Sequence, residues 1–374
     1  MKKKWGLLLI LLLSLLPRTA FAAETADAIC IEGETEGLDT DAVDAAAEEM
    51  DAEVSFSDLL AEILSGEFDF TFANIREKAS ELMFGELRMQ GRLLAQLVLI
   101  VILSAILKQC SDSFQGKNVG EMGFYVCYMV LIVAILTSFY SISQSVVERM
   151  RGLCGVFGAM VPIFLVLSAS SGNLAQGALM GPTLMGGATA LSVGISYVLI
   201  PAIQLSIALE MADHISEKPI LGKFAELLRQ CISWGMKGAA MLFMLLLSLQ
   251  KIGGGALNGL AAKTAKIAVG AVPVVGGVMG GAVETAAAMA GTLKSGTLVA
   301  AVVLLLLLCL PLLIKLLVIL LVFRLTAAAA EFICEERLVE CIAAAGEYIG
   351  LLLGIVFLGE GMFFFSALLL LGGL

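Results

Sequence analysis

The chain has 374 residues, 59% of them hydrophobic and only 15% charged, with a formal net charge of −10. Soluble domains carry about a quarter charged residues, so a soluble enzyme is excluded, and no basic patch interleaved with aromatics points to nucleic acid. Apolar runs near the ~20 residues that cross a bilayer recur along the sequence. The expected fold is all-α: a polytopic helical membrane protein with about seven or eight segments in the lipid bilayer.

The N-terminus reads as an export signal. Lys2, Lys3 and Lys4 form a basic region, Leu7 to Leu16 a short apolar one closed by Pro17, and Ala20-Phe21-Ala22 a cleavage site. Residues 1–22 are therefore expected to be removed as a signal peptide. Residues 23–54 are an acidic tail: Glu24 to Glu53 holds twelve acids and no Lys or Arg, so most of the net charge sits there. Such a composition predicts a disordered extracytoplasmic spacer. Residues 55–92 turn helical. "SDLLAEILSG" starts with Ser57 as a cap and ends at Gly66. Phe72, Ile75, Ala79, Leu82 and Met83 follow at helical spacing. Residues 55–92 are thus an amphipathic helical extracytoplasmic region, whose second helix is expected on the outer membrane surface or against a partner, feeding the first span, with a contact inside the molecule as the alternative.

The membrane domain then fills 93–374. Hydropathy places spans at Leu93–Leu107, Phe124–Ser141, Leu153–Ser168, a long proline-interrupted stretch Leu179–Leu209, Ile232–Leu249, a glycine-rich segment, Leu298–Phe323 and Ile342–Leu371. The last is long for one crossing and either tilts or breaks near Gly359-Glu360-Gly361. With a cleaved signal the first span runs inward. Lys251, Lys263 and Lys266 then fall on the cytoplasmic side, as positive charges should.

Chemistry is sparse. The single histidine, His214, falls between helices, and the eight cysteines form no CxxC pair, so neither a metal site nor a disulfide framework is indicated. "KIGGG" lacks the spacing of a phosphate-binding loop. No catalytic, cofactor-binding or metal-ligating residue is assigned, and no enzyme activity is expected. Ionisable residues inside the apolar runs are the remaining signal, because such charges face a cavity or a partner. They are Glu284, Lys315 and Glu360. Lys315 either snorkels to the interface or pairs with Glu360 or Glu284.

The segment Val269 to Gly291 gives up apolar bulk. Gly276 and Gly280, and Gly277 and Gly281, form overlapping GxxxG pairs, which let another helix backbone approach closely. Pro273 interrupts the helical hydrogen bonding, and a broken backbone survives at membrane depth only inside protein or beside water. The segment is therefore expected to be buried, either crossing or re-entering from the cytoplasmic side. Re-entry would put Lys294 inside and the loop Glu331–Glu340 outside.

At these residues the sequence shows a family resemblance. "KTAKIAVGAVPVVGGVMGGAVET" is similar to the signature segment of stage III sporulation protein AE of endospore-forming bacteria. "ELMFGELRMQGRLLAQLVLIVILSAILKQCSDSF" resembles that family's entry into its first span. The likeness runs from about Ser55 to the C-terminus and leaves out the acidic tail. It implies a polytopic platform or pore subunit in the mother-cell-derived membrane around the forespore. Implied partners are other stage III sporulation membrane proteins, ring-forming partners and a cytoplasmic secretion-type ATPase. It carries over no catalytic residue. A stand-alone secondary transporter is the alternative suggested by the broken segments and buried charges. An intramembrane enzyme would need a nucleophile or metal set that the sequence does not present.

Overall fold

A computed structural model describes residues 40–52, 54–65, 72–113, 117–170, 174–215, 221–245, 276–334 and 336–372. Everything else in the sequence, including the signal region and Pro273, lies outside the described residues. Within them the protein is all-helical. The helices are α1 (Asp41–Glu48), α2 (Phe56–Ser65), α3 (Phe72–Met89), α4 (Gly91–Ser113), α5 (Lys117–Ser170) and α6 (Leu174–Gly194). A π-helical turn (Ile195–Leu199) leads into α7 (Ile200–Ile215); α8 covers 222–245, followed by α9 (Gly276–Ala330) and α10 (Glu336–Gly372).

Three long helices build the frame. α5 and α10 run side by side in the same direction: Phe139 meets Tyr348, and Phe157 meets Phe363 with ring centroids 5.8 Å apart. α9 runs the opposite way, placing Phe323 beside Gly346 and Leu320 beside Gly350. The α6–α7 unit also runs against α5, with Met185 at Gly158 and Thr189 at Cys154. Along each helix the inward stripe is aliphatic or aromatic and buried, as in Leu131, Ile135, Val146, Met150 and Phe157 of α5. The outward stripe of the same helix is equally apolar, with Val126, Met129, Val133 and Tyr140 exposed. A helix apolar on both faces belongs in lipid.

Among the described residues, four helices are long and apolar enough to cross a membrane: Tyr125–Leu167, Met185–His214, Gly296–Ala330 and Glu336–Ala367. A fifth arises if Ser80–Met89 and Gly91–Ile106, bent by 45°, form one span. This is fewer than the seven or eight expected. The stretches 124–141 and 153–168 lie on one unbroken 54-residue helix, about 80 Å long at 1.5 Å per residue and far more than a ~30 Å hydrocarbon core. Hydropathy detects apolar runs; it does not see that Glu148, Arg149 and Arg151 between these two are carried on the helix without a turn. The glycine-rich segment behaves the same way. α9 is continuous over 55 residues from Gly276, so the chain does not fold back between Gly291 and Leu298 as re-entry would require. α10 likewise passes Gly359-Glu360-Gly361 without a break.

The stretch Leu179–Leu209, expected to be interrupted at proline, instead runs on as one helix through the π-turn. Pro201 has no N–H to offer the Tyr197 carbonyl, and its ring crowds that oxygen; widening the preceding turn is how a helix absorbs this.

The acidic tail is not disordered throughout. α1 forms with Asp41 and Asp44 in its first turn, where negative charge complements the helix dipole. It ends at Asp51, whose φ of 57° is left-handed, with the Asp51 N–H on the Glu48 carbonyl and the Ala52 N–H on the Ala47 carbonyl. That is a helix-terminating Schellman arrangement. Val43, Ala47 and Met50 are buried, and a side chain at Gly152 would meet the Met50 Cγ at 2.6 Å, so α1 rests against the middle of α5. α1 can form within this acidic stretch because every third or fourth residue among its acids is apolar.

α2 also docks inside the molecule, burying Phe56, Leu59 and Leu60. Its cap is Ser55, whose Oγ accepts from the Asp58 N–H at 3.1 Å; Ser57 lies within the first turn. The Asp44 carboxylate accepts from the Phe56 N–H and ties α1 to α2. α3 keeps Phe84 and Met89 outward.

Candidate functional site

Two polar sites interrupt the apolar interior. The first lies halfway up the bundle. Gly359 on α10 has no side chain, which lets the Met150 sulfur and the Ile195 Cδ1 of the π-turn close in: a Cβ there would stand 2.9 and 3.0 Å from them. The next residue, Glu360, is 4% exposed, and among the described residues neither of its carboxyl oxygens has a hydrogen-bond partner. Arg149 of α5 and Cys309 of α9 are the charged and titratable groups close enough to act on it. Arg149 is engaged elsewhere: its Nη1 donates to the Met50 carbonyl oxygen at 3.0 Å, at the end of α1. Two residues on, the Arg151 guanidinium lies 5.9 Å from the Tyr197 ring of the π-turn. The π-turn also holds Ser196, whose Oγ is buried without a partner.

The second site joins α7, α8 and α10. The Tyr348 hydroxyl donates to the Glu210 carboxylate at 2.5 Å and lies 2.8 Å from the Ser206 Oγ. Ser206 donates in turn to the Ala225 carbonyl of α8 at 3.0 Å. Arg229 of α8 donates to the Glu347 carboxylate, and its guanidinium lies over the Tyr348 ring at 5.6 Å. One turn further along α7, the His214 Nδ1 bonds the Glu210 carbonyl oxygen at 2.7 Å while Nε2 stands 3.8 Å from Glu340. The Asp213 carboxylate accepts from the Leu221 N–H at 2.7 Å and starts α8. Gly222 leaves the Asp213 carboxylate room, since a Cβ there would stand 2.4 Å from its Oδ2.

The residues singled out in the sequence distribute unevenly over these sites. Glu360 is at the centre of the first. Lys315 is half-buried on α9, and among the described residues no ion pair joins it to Glu360. It cannot pair with Glu284 of its own chain: both lie on the continuous α9, 31 residues apart, which is about 46 Å of helix. Gly276, Gly277, Gly280, Gly281 and Glu284 lie in the first turns of α9, where only the backbone is described, and Pro273 lies outside the described residues. His214 is in the last turn of α7 rather than in a loop. Sequence reasoning missed Arg149 and the whole second site. A signal was present: Ser206, Glu210 and His214 recur every four residues, one face of a helix, at the end of an apolar run.

The fold is that of an all-helical protein with four or five helices, among the described residues, long and apolar enough to cross a membrane. The family model described as "Stage III sporulation protein AE" matches residues 54–373. The chain belongs to that family. A relative in Bacillus subtilis (strain 168), "Stage III sporulation protein AE", is 26% identical over 227 residues, 60% of this chain and 57% of the relative. The chain thus matches a little over half the length of that relative. No solved structure matches the fold.

Proposed function

We propose that the chain is the membrane platform or pore subunit of a channel or secretion-like complex that links mother cell and forespore and sustains the forespore after engulfment. The observation that carries this is family membership over residues 54–373. The long helices, apolar on both faces, suit a subunit whose surface is covered by lipid and by other subunits. In this reading it sits in the mother-cell-derived membrane around the forespore. Its partners there are the other stage III membrane proteins, ring-forming proteins between the membranes and a secretion-type ATPase on the cytoplasmic side. The mature chain begins at Ala23 after signal removal. The glycine strip of Gly276, Gly277, Gly280 and Gly281 is a subunit contact.

Deleting the gene should leave vegetative growth unchanged and stop sporulation at or after engulfment; normal yields of heat-resistant spores would reject the reading. Replacing Gly277 by Leu should block complex assembly, with Val278→Leu milder.

A stand-alone secondary transporter is favoured by one feature, the π-turn beside the unpartnered Glu360, since transporter sites are built where the helical hydrogen bonding is interrupted. Solute uptake by the purified chain alone in vesicles would select it.

A further inference from the structure

Glu360 stands where α5, α9, α10 and the π-turn meet, 4% exposed and with both oxygens unpartnered among the described residues. A carboxylate cannot be left that way at low cost; it needs either a counter-charge in contact or a proton. The counter-charge is at hand but turned aside. Arg149 adjoins Met150, whose sulfur packs at Gly359 beside Glu360, and its Nη1 donates to the Met50 carbonyl at the end of α1. α9 contributes Cys309, and α6 and the π-turn contribute Ser192, bonded to the Met150 carbonyl, and Ile195. A metal cation would be repelled by Arg149 and would find one carboxylate where it needs several oxygens. A proton meets neither objection.

We propose that Glu360 is a proton-binding site coupled to the docking of α1. With α1 seated and Arg149 held by Met50, the carboxyl carries a proton. When α1 leaves, the guanidinium turns to Glu360. The O–H bond breaks, its electron pair stays on the carboxylate oxygen, the proton passes to water, and an Arg149–Glu360 ion pair remains. The seat that α1 must leave is the Met50 side chain against Gly152. This holds whether or not the protein forms a channel.

The test is infrared spectroscopy of the full chain in lipid vesicles at neutral pH. Wild type should show the carbonyl band of a neutral carboxylic acid, and Glu360→Gln should lack it. Gly152→Leu, which fills the Met50 seat and lifts α1 away, should lose the band while keeping Glu360. Mass mapping after dicyclohexylcarbodiimide, which attacks neutral buried carboxyls, should place an adduct on Glu360 in wild type and much less in Gly152→Leu. If Glu360→Gln does not fold, Glu360→Asp takes its place, and the band should shift in frequency. No neutral-acid band in wild type, or one that Glu360→Gln and Glu360→Asp leave untouched, overturns the site. A band that persists unchanged in Gly152→Leu overturns the coupling to α1.

Discussion

The two polar sites are built from similar residues and behave as opposites. Around Tyr348 the polar groups are answered: the hydroxyl donates to Glu210, the Ser206 hydroxyl beside it donates to the α8 backbone, and Arg229 meets both Glu347 and the ring. At Glu360 nothing is answered, although an arginine is near. A satisfied buried network rigidifies and fixes which helices meet, so the Tyr348 site is a clamp holding α8 to the bundle. An unsatisfied group of the same polarity costs free energy in the resting state and is retained only where it changes state. The contrast assigns stability to one site and chemistry to the other, and substitutions can break it.

The largest effect belongs at the clamp. Tyr348→Ala removes a fully buried ring packed edge-on to Phe139 and should cost about 3–5 kcal/mol, as large aromatic truncations do. Tyr348→Phe keeps the ring but strands the Glu210 carboxylate and should cost ~1–3 kcal/mol. Thermal unfolding in detergent reads both. If Tyr348→Phe unfolds with wild type, the hydroxyl network is not a clamp.

Next comes the α1 seat. Gly152→Leu places a side chain where Met50 already lies within 2.6 Å. Overpacking costs about 1–3 kcal/mol, here relieved by release of α1, so protease cleavage within residues 41–52 should rise while the bundle stays folded. A cleavage rate equal to wild type would mean α1 does not depend on that contact.

Arg229→Ala should do less. Its partner Glu347 is half exposed, which limits that ion pair to about 0.2–1 kcal/mol, and the stacking on Tyr348 adds ~0.5–1 kcal/mol. The expected loss is about 1 kcal/mol, with little change on adding salt if stacking dominates. A loss as large as that of Tyr348→Ala would make Arg229, not the tyrosine, the centre of the clamp.

These differences also mark what the sequence could disclose. That the chain is helical and membrane-bound was legible because composition and apolar runs depend only on local residues. Glu360 was legible for the same reason, as an acid inside such a run. Its partner was not. Arg149 lies between two apolar runs, where hydropathy places a loop, and only the unbroken course of α5 carries it to mid-bundle beside α10. The Lys315–Glu284 pairing failed on the same point, since a helix that does not turn keeps its two ends apart. Ser206, Glu210 and Tyr348 were each visible, but a hydrogen bond between positions 142 residues apart is set by packing, which spacing within one helix cannot report. The ordered α1 was hidden by its charge: Val43, Ala47 and Met50 are few, yet they suffice because Gly152 leaves them a seat.

The smallest expected effect is the most discriminating. Glu360→Gln replaces a carboxyl by an amide of nearly the same shape. If Glu360 were the ionised half of a buried ion pair, removing its charge would strand Arg149 and cost about 3–5 kcal/mol. If it is a neutral acid with no partner, the amide stands in for it directly, and Arg149 keeps its bond to Met50. The expected change in unfolding free energy below about pH 4, where the carboxyl is protonated in both states, is then within about 1 kcal/mol, the size of a single hydrogen bond gained or lost. The pH dependence sharpens this. A carboxyl that holds its proton in the folded state more tightly than in the unfolded one contributes stability at low pH that is lost as the pH rises. Wild type should therefore lose stability relative to Glu360→Gln as the pH rises above about 4.3, where a carboxyl in the unfolded chain ionises, and the two curves should run parallel below it. A wild type that gains on Glu360→Gln as the pH rises would make Glu360 a paired carboxylate and erase the contrast between the two sites.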